Sequence, residues 1–365
     1  MDPQQRPDPL SRDKFASGPL RVVAIGGGTG LSTLLKGLKT FVPAPGEPYR
    51  PVTAQPVIGE LSAVVTVSDD GGSSGRLRKE LNMLPPGDIR NCIVALSEDE
   101  DLLSQLFRHR FDKGSGLEGH SFGNLFLAAL TSITKDFPEA VRLSSEILLT
   151  RGHIYPATAS NIELEALMED GTRVRGETKI TASKGRIKEL FLIPPDVLPL
   201  PQTLEAIARA DVITIGPGSL FTSLIPNLLV RGIGPAIVNS PAIKVYVCNL
   251  MTQANESLGL TAADHIRALN RHAQAQLFDY ALINRRPASD ELKAKYALEG
   301  AAQIVADLDV VEQLGCCPVL GDYLEEAGAA RHATDRVARD LLDLALQAPV
   351  PARKTTLEAA SNRTE

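Results

Sequence analysis

Gly26-Gly27-Gly28-Thr29-Gly30 stands between a short apolar run and an amphipathic stretch, and its composition suits the holding of a phosphate. Glycines let a backbone turn sharply and approach a ligand with no Cβ in the way. A helix following them would present free N–H groups and a partial positive charge to an anion. The same turn would also serve simply to join strand and helix closely. Its spacing is not G-x-G-x-x-G, because Leu31 and Ser32 follow Gly30, and no G-K-[ST] string occurs. A standard NAD dehydrogenase and a P-loop ATPase are both disfavoured.

Ser68-Asp69-Asp70-Gly71-Gly72-Ser73-Ser74-Gly75-Arg76 follows the next apolar run. In nucleotide-binding α/β folds an acidic residue at this point accepts hydrogen bonds from ribose hydroxyls. Neighbouring side chains on an extended backbone face opposite ways, so one of Asp69 and Asp70 would meet a ligand while the other holds the loop. Gly216-Pro217-Gly218-Ser219 again follows a strand-like run and precedes a helical one. It offers main-chain donors and the Ser219 hydroxyl to an anion, or else a plain helix start. Two such turns, far apart in sequence, suit a ligand with two phosphates. Weaker candidates are Pro85–Asn91 and Gly119–Asn124, polar loops that each precede a helix, and Arg331, whose guanidinium could clamp a diphosphate.

These turns need a scaffold. Leu20–Ile25, the glycine turn, an amphipathic Leu31–Leu38, a Pro-rich stretch from Pro43 to Gly59 and Leu61–Val67 read as a first βαβ unit. Helices are expected from Asp88 and from Asp136, where D-F-P-E supplies a cap, an early Pro and a Glu. Alternation from Ile162 to Met168, then Asp170-Gly171, predicts a hairpin, so 150–195 reads as a small antiparallel insertion. The α/β pattern resumes with Asp211–Ile215 and a helix over Leu220–Leu229. Val245–Leu250, Tyr280–Asn284 and Ile304–Asp307 are further strands. The expectation is a Rossmann-like, mostly parallel sheet flanked by helices over 19–348, between disordered tails at 1–18 and 349–365.

The 365 residues include 38 basic and 44 acidic side chains and no Trp, which disfavours a nucleic-acid-coating role. No apolar run reaches the roughly 20 residues of a membrane span, and the N-terminus lacks a signal-peptide core. Cys92, Cys248, Cys316 and Cys317 form no C-x-x-C pair and the six histidines no H-E-x-x-H, so no metal centre is expected.

The strings VVAIGGGTGLSTLLKGLK, VTVSDDGGSSGRLRKEL, PPGDIRNCIVALS, GHSFGNLFLAAL, IGPGSLFTSLIPNLLVRGI and KVYVCNLMTQ, in this order, resemble the gluconeogenesis factor (YvcK-like) family, distant relatives of the phospholactate transferase CofD. The resemblance implies a Rossmann-like fold, a cytoplasmic location, a possible homodimer and binding of nucleotide sugars such as UDP-N-acetylglucosamine. It further implies a regulatory role in gluconeogenic growth, cell shape and cell-wall control, exercised through protein partners and without established turnover. Gly26, Gly27, Gly28, Thr29 and Gly30, Asp69 and Asp70, Asn91, Asn124, Gly216 to Ser219 and Arg331 stand at matching positions. Two strings depart from the pattern. Ala254-Asn255-Glu256-Ser257 replaces a Gly-Glu-Thr string, and Pro86–Asn91 lacks the Pro-Asp-x-Asp of the transferases. The alternative is a Mg²⁺-dependent phosphoester-group transferase using Asp69, Asp70 and Asp88.

Overall fold

The computed structural model describes residues 19–44, 58–97, 102–183 and 185–347. Both expected tails and most of the Pro-rich stretch lie outside them. The strands are β1 (Leu20–Gly26), β2 (Ile58–Val65), β3 (His153–Pro156), β4 (Glu163–Met168), β5 (Arg173–Arg175), β6 (Ile187–Ile193), β7 (Val212–Ile215), β8 (Ile243–Val247), β9 (Tyr280–Asn284), β10 (Cys317–Gly321), β11 (Leu324–Glu326) and β12 (Ala330–His332). Seven of them form a sheet in the order β10-β9-β8-β7-β1-β2-β3. All its pairings are parallel. Parallel strands are covered on both faces, which is why β1 and β7 are mostly apolar, with Val22–Ile25 and Val212–Ile215 buried.

The chain builds outward from β1 through β2 to β3, then returns to the other side of β1 to add β7, β8, β9 and β10. That reversal opens a crevice at the carboxyl ends of β1 and β7, where open α/β sheets bind ligands. The helix Gly28–Lys39 buries Leu31, Leu34, Leu35 and Leu38, a single helical face. It packs between the helices Gly87–Leu96 and Thr334–Gln347. Asp136 caps the helix Phe137–Ile147 by accepting from Glu139 N–H, as its sequence predicts.

The antiparallel unit has the order β5-β4-β6 and begins later than expected. β3, at its supposed start, is an edge strand of the main sheet instead. Alternate residues Leu164, Ala166 and Met168 of β4 are buried, matching the period of two. Ile304–Asp307 is not a strand. Gln303 makes a single bridge to Met251, and Asp307 is spent accepting from Ala263 N–H. The remaining strand of the sheet is β10, a short apolar stretch that carries a Pro and a terminal Gly and is not among the strands expected from the sequence. Leu220–Leu229 is a π-helical turn, Leu220–Leu224, running into a short α-helix. All four cysteines are free. Among the described residues no single helix is long and apolar enough to cross a membrane.

Gly37 tests the packing of this core. Alanine normally stabilises a helix interior by about 1 kcal/mol over glycine. A Cβ on Gly37, however, would lie 2.6 Å from the Thr334 carbonyl oxygen. Gly37→Ala is therefore expected to lower stability by about 1–3 kcal/mol in urea unfolding, against the helix-propensity trend.

Candidate functional site

Parallel pairing sets Ile25 of β1 beside Ile215 of β7, so the two glycine turns leave the sheet side by side. Gly216 N–H donates to the Ile25 carbonyl at 3.2 Å. Gly28 has a φ of +62°, a conformation that favours glycine. A Cβ on Gly30 would lie 2.3 Å from the Pro217 carbonyl oxygen, so the turns touch through bare backbone. Gly27, Gly28, Thr29, Gly30, Pro217, Gly218 and Ser219 form the floor of a cavity of about 550 Å³. Gly26 and Gly216 lie just behind it. The Gly26 carbonyl accepts from Thr66 N–H and from the Asn227 amide.

Facing the floor is a wall of residues that are not among the site candidates from the sequence, made by the loop 249–255, which begins in the KVYVCNLMTQ string, with Tyr296, Glu299, Ala330 and His332. Asn249 ties it to the floor by accepting from Gly218 N–H at 3.2 Å and donating to the Gly218 carbonyl at 2.8 Å. Gln253 Nε2 donates to Ser219 Oγ at 2.8 Å, while the buried Gln253 Oε1 has no hydrogen-bond partner among the described residues. His332 Nε2 lies 3.0 Å from the Cys248 carbonyl, which only accepts, so Nε2 carries the proton and Nδ1 is left as an acceptor. Burial lowers the His332 pKa to about 4 and keeps the ring neutral. Arg331, one residue earlier on β12, is exposed and does not line the cavity, whereas its neighbours Ala330 and His332 do. The two-residue period of a strand sends the two sets to opposite faces.

The helix start after Ser219 is not an open anion site. Glu256 Oε1 accepts from Phe221 N–H at 2.7 Å and Thr222 N–H at 2.9 Å, so the protein's own carboxylate fills it. Burial raises the Glu256 pKa, and those two N–H groups oppose the rise. Gly28 N–H is similarly committed to Asp88 Oδ2 at 2.7 Å. Burial lifts the Asp88 pKa to about 6 despite that bond.

Asp88 links the cavity floor to a second polar cluster holding the remaining sequence candidates. Asp69 accepts from Gly71 N–H. Asp70 accepts from the Thr178 N–H and hydroxyl, tying down the helix Glu177–Ala182 of the antiparallel unit. That helix also lines the cavity through Thr181. Neither Asp69 nor Asp70 lines the cavity, and both serve the loop. Asn91 accepts from Arg90, and Asn124 donates to Ser73 Oγ at 3.0 Å, with the His120 ring 2.9 Å from the same oxygen. Among the described residues no three His, Cys, Asp or Glu side chains are grouped to hold a metal ion.

Glu177 is the most perturbed acid of this cluster. Burial, followed by the charges of Asp69, Asp88 and Asp70, raises its pKa to about 9. The unfolded chain ionises this carboxyl near 4.5 but the folded chain keeps its proton, so stability falls as pH rises between those values. Glu177→Gln removes the loss. In thermal melts the Tm of the variant relative to the parent should increase from about pH 5 to about pH 8, and a constant difference would refute this placement of the charge.

The family described as 2-phospho-L-lactate transferase CofD matches residues 22–324. The chain is 50% identical to a gluconeogenesis factor of Halalkalibacterium halodurans over 324 residues, covering 88% of this chain and 95% of that one. It is 47% identical to the gluconeogenesis factor of Bacillus subtilis over 326 residues, covering 89% and 98%. A crystal structure of a UPF0052 family protein from Bacillus halodurans is similar with a TM-score of 0.82 and 49% identity, covering 89% of this chain and 99% of that one. Glycine turns meeting at the β1/β7 crevice and identity along most of the sequence agree: the chain belongs to the CofD family, among its gluconeogenesis factors.

Proposed function

We propose that the protein is a cytoplasmic nucleotide-sugar-binding regulator that serves gluconeogenic growth, cell shape and cell-wall control. The observation that carries the reading is the contact of Gly30 with Pro217, which merges two glycine turns into one floor. A cavity of about 550 Å³ above it suits a ligand of nucleotide-sugar size. The diphosphate lies against this floor, at the N-terminus of the helix Gly28–Lys39, where the helix dipole favours negative charge. Ser219 accepts from Gln253, which leaves its own hydroxyl proton for a phosphate oxygen.

Regulation rather than turnover is the favoured mode. The Asp69 and Asp70 carboxylates are engaged in holding loops. Ligand in the cavity touches both the parallel sheet's turns and the helix Glu177–Ala182, so occupancy favours one arrangement of the two, which a protein partner can read.

Isothermal titration with UDP-N-acetylglucosamine is expected to show saturable binding that Ser219→Ala weakens about tenfold. Absence of binding at millimolar ligand would remove the proposal. A product formed from a nucleotide-activated donor only with Mg²⁺ would instead favour the transferase reading.

A further inference from the structure

The wall opposite the glycine floor has its own chemistry. Among the described residues no Lys or Arg lines the cavity, and its one acidic residue, Glu299, stands exposed at the rim. Deeper in, Gln253 offers a buried carbonyl oxygen without a partner, and the neutral His332 ring offers Nδ1. Tyr296 Oη already accepts from Ala330 N–H at 3.2 Å, so its hydroxyl proton is free to be given away. Thr252 Oγ1 accepts from Ala302 N–H in the same way.

Such a wall presents acceptors and hydroxyl protons but no positive charge. Groups that both donate and accept, as alcohols do, satisfy it. A uracil edge, with two carbonyls for one N–H, would satisfy it less well. A carboxylate would satisfy it worst. It cannot donate to Gln253 Oε1 or His332 Nδ1, it meets Glu299, and it finds no cation. A hydroxyl gains a hydrogen bond at these acceptors that a carboxylate cannot make, and the like charge of Glu299 widens the difference.

Resting on the nucleotide-sugar reading above, we propose that this wall selects a diphosphate ester whose second substituent is uncharged and rich in hydroxyls, and rejects one whose second substituent is anionic. Gln253 is the positioning centre. One end of its amide orients Ser219 toward the diphosphate and the other receives a hydroxyl of the glycosyl group. The cavity thereby sorts ligands that share one nucleotide by the charge of what the nucleotide carries.

UDP-glucose and UDP-glucuronic acid make a matched pair, differing only in a hydroxymethyl group against a carboxylate. Titrated into the full-length protein, UDP-glucose is expected to bind at least about tenfold more tightly. Glu299→Gln should narrow that ratio by strengthening the uronate. Gln253→Ala should weaken UDP-glucose more than it weakens UDP. Equal or tighter binding of UDP-glucuronic acid by the unaltered protein would overturn the proposal. So would equal losses for UDP and UDP-glucose in Gln253→Ala. If UDP binds without discrimination by charge, this inference alone fails. If neither UDP nor any UDP-sugar binds, the nucleotide-sugar reading fails with it.

Discussion

The parallel pairing of β1 with β7 is the constraint on which the rest of the site depends. These strands are separated by nearly two hundred residues, yet Val22 to Ile25 lie directly beside Val212 to Ile215. Both runs are completely buried, so a slip of one residue would turn every side chain to the wrong face. Once this register holds, the turns that leave the two strands have no choice but to meet. Side chains would keep them apart, and glycine at position 30 lets the backbones close to contact. The crevice therefore follows from strand order and from missing methyl groups rather than from a dedicated binding loop.

Around that contact the protein has placed its own anions. Asp88 holds Gly28 N–H, and Glu256 holds the N–H groups of Phe221 and Thr222. Each keeps a turn in shape before any ligand arrives, and each costs desolvation, which shows in their raised proton affinities. The proposed anion would meet a floor organised by internal carboxylates, with no cationic side chain lining it among the described residues, and would be held through dipoles and hydroxyls.

The antiparallel unit is part of this arrangement. Its helix Glu177–Ala182 is fastened to the acidic loop through Thr178 and Asp70 and reaches the cavity through Thr181. Glu177 lies in this seam, where burial and then the charges of Asp69, Asp88 and Asp70 favour its protonated form. The joint between the insertion and the sheet is thus both a structural seam and one boundary of the site.

Local sequence determined the elements and the turns, because a glycine cluster between an apolar run and an amphipathic one has few other uses, and because helical and strand periods are written in neighbouring residues. Leu31, Leu34, Leu35 and Leu38 and the alternation in β4 were readable in this way. Ile304–Asp307 reads as a strand and β10 goes unassigned because apolar content cannot tell a buried loop from a strand when an edge strand carries Pro and Gly. Tertiary structure alone decided that Gly30 meets Pro217 and that Gln253 and His332 face the cavity while Arg331 does not. It also decided that Asp69 and Asp70 hold loops. The physical reason is that which face a side chain takes, and which distant carboxylate fills a helix end, depend on strand order and pairing register, which neighbouring residues do not encode.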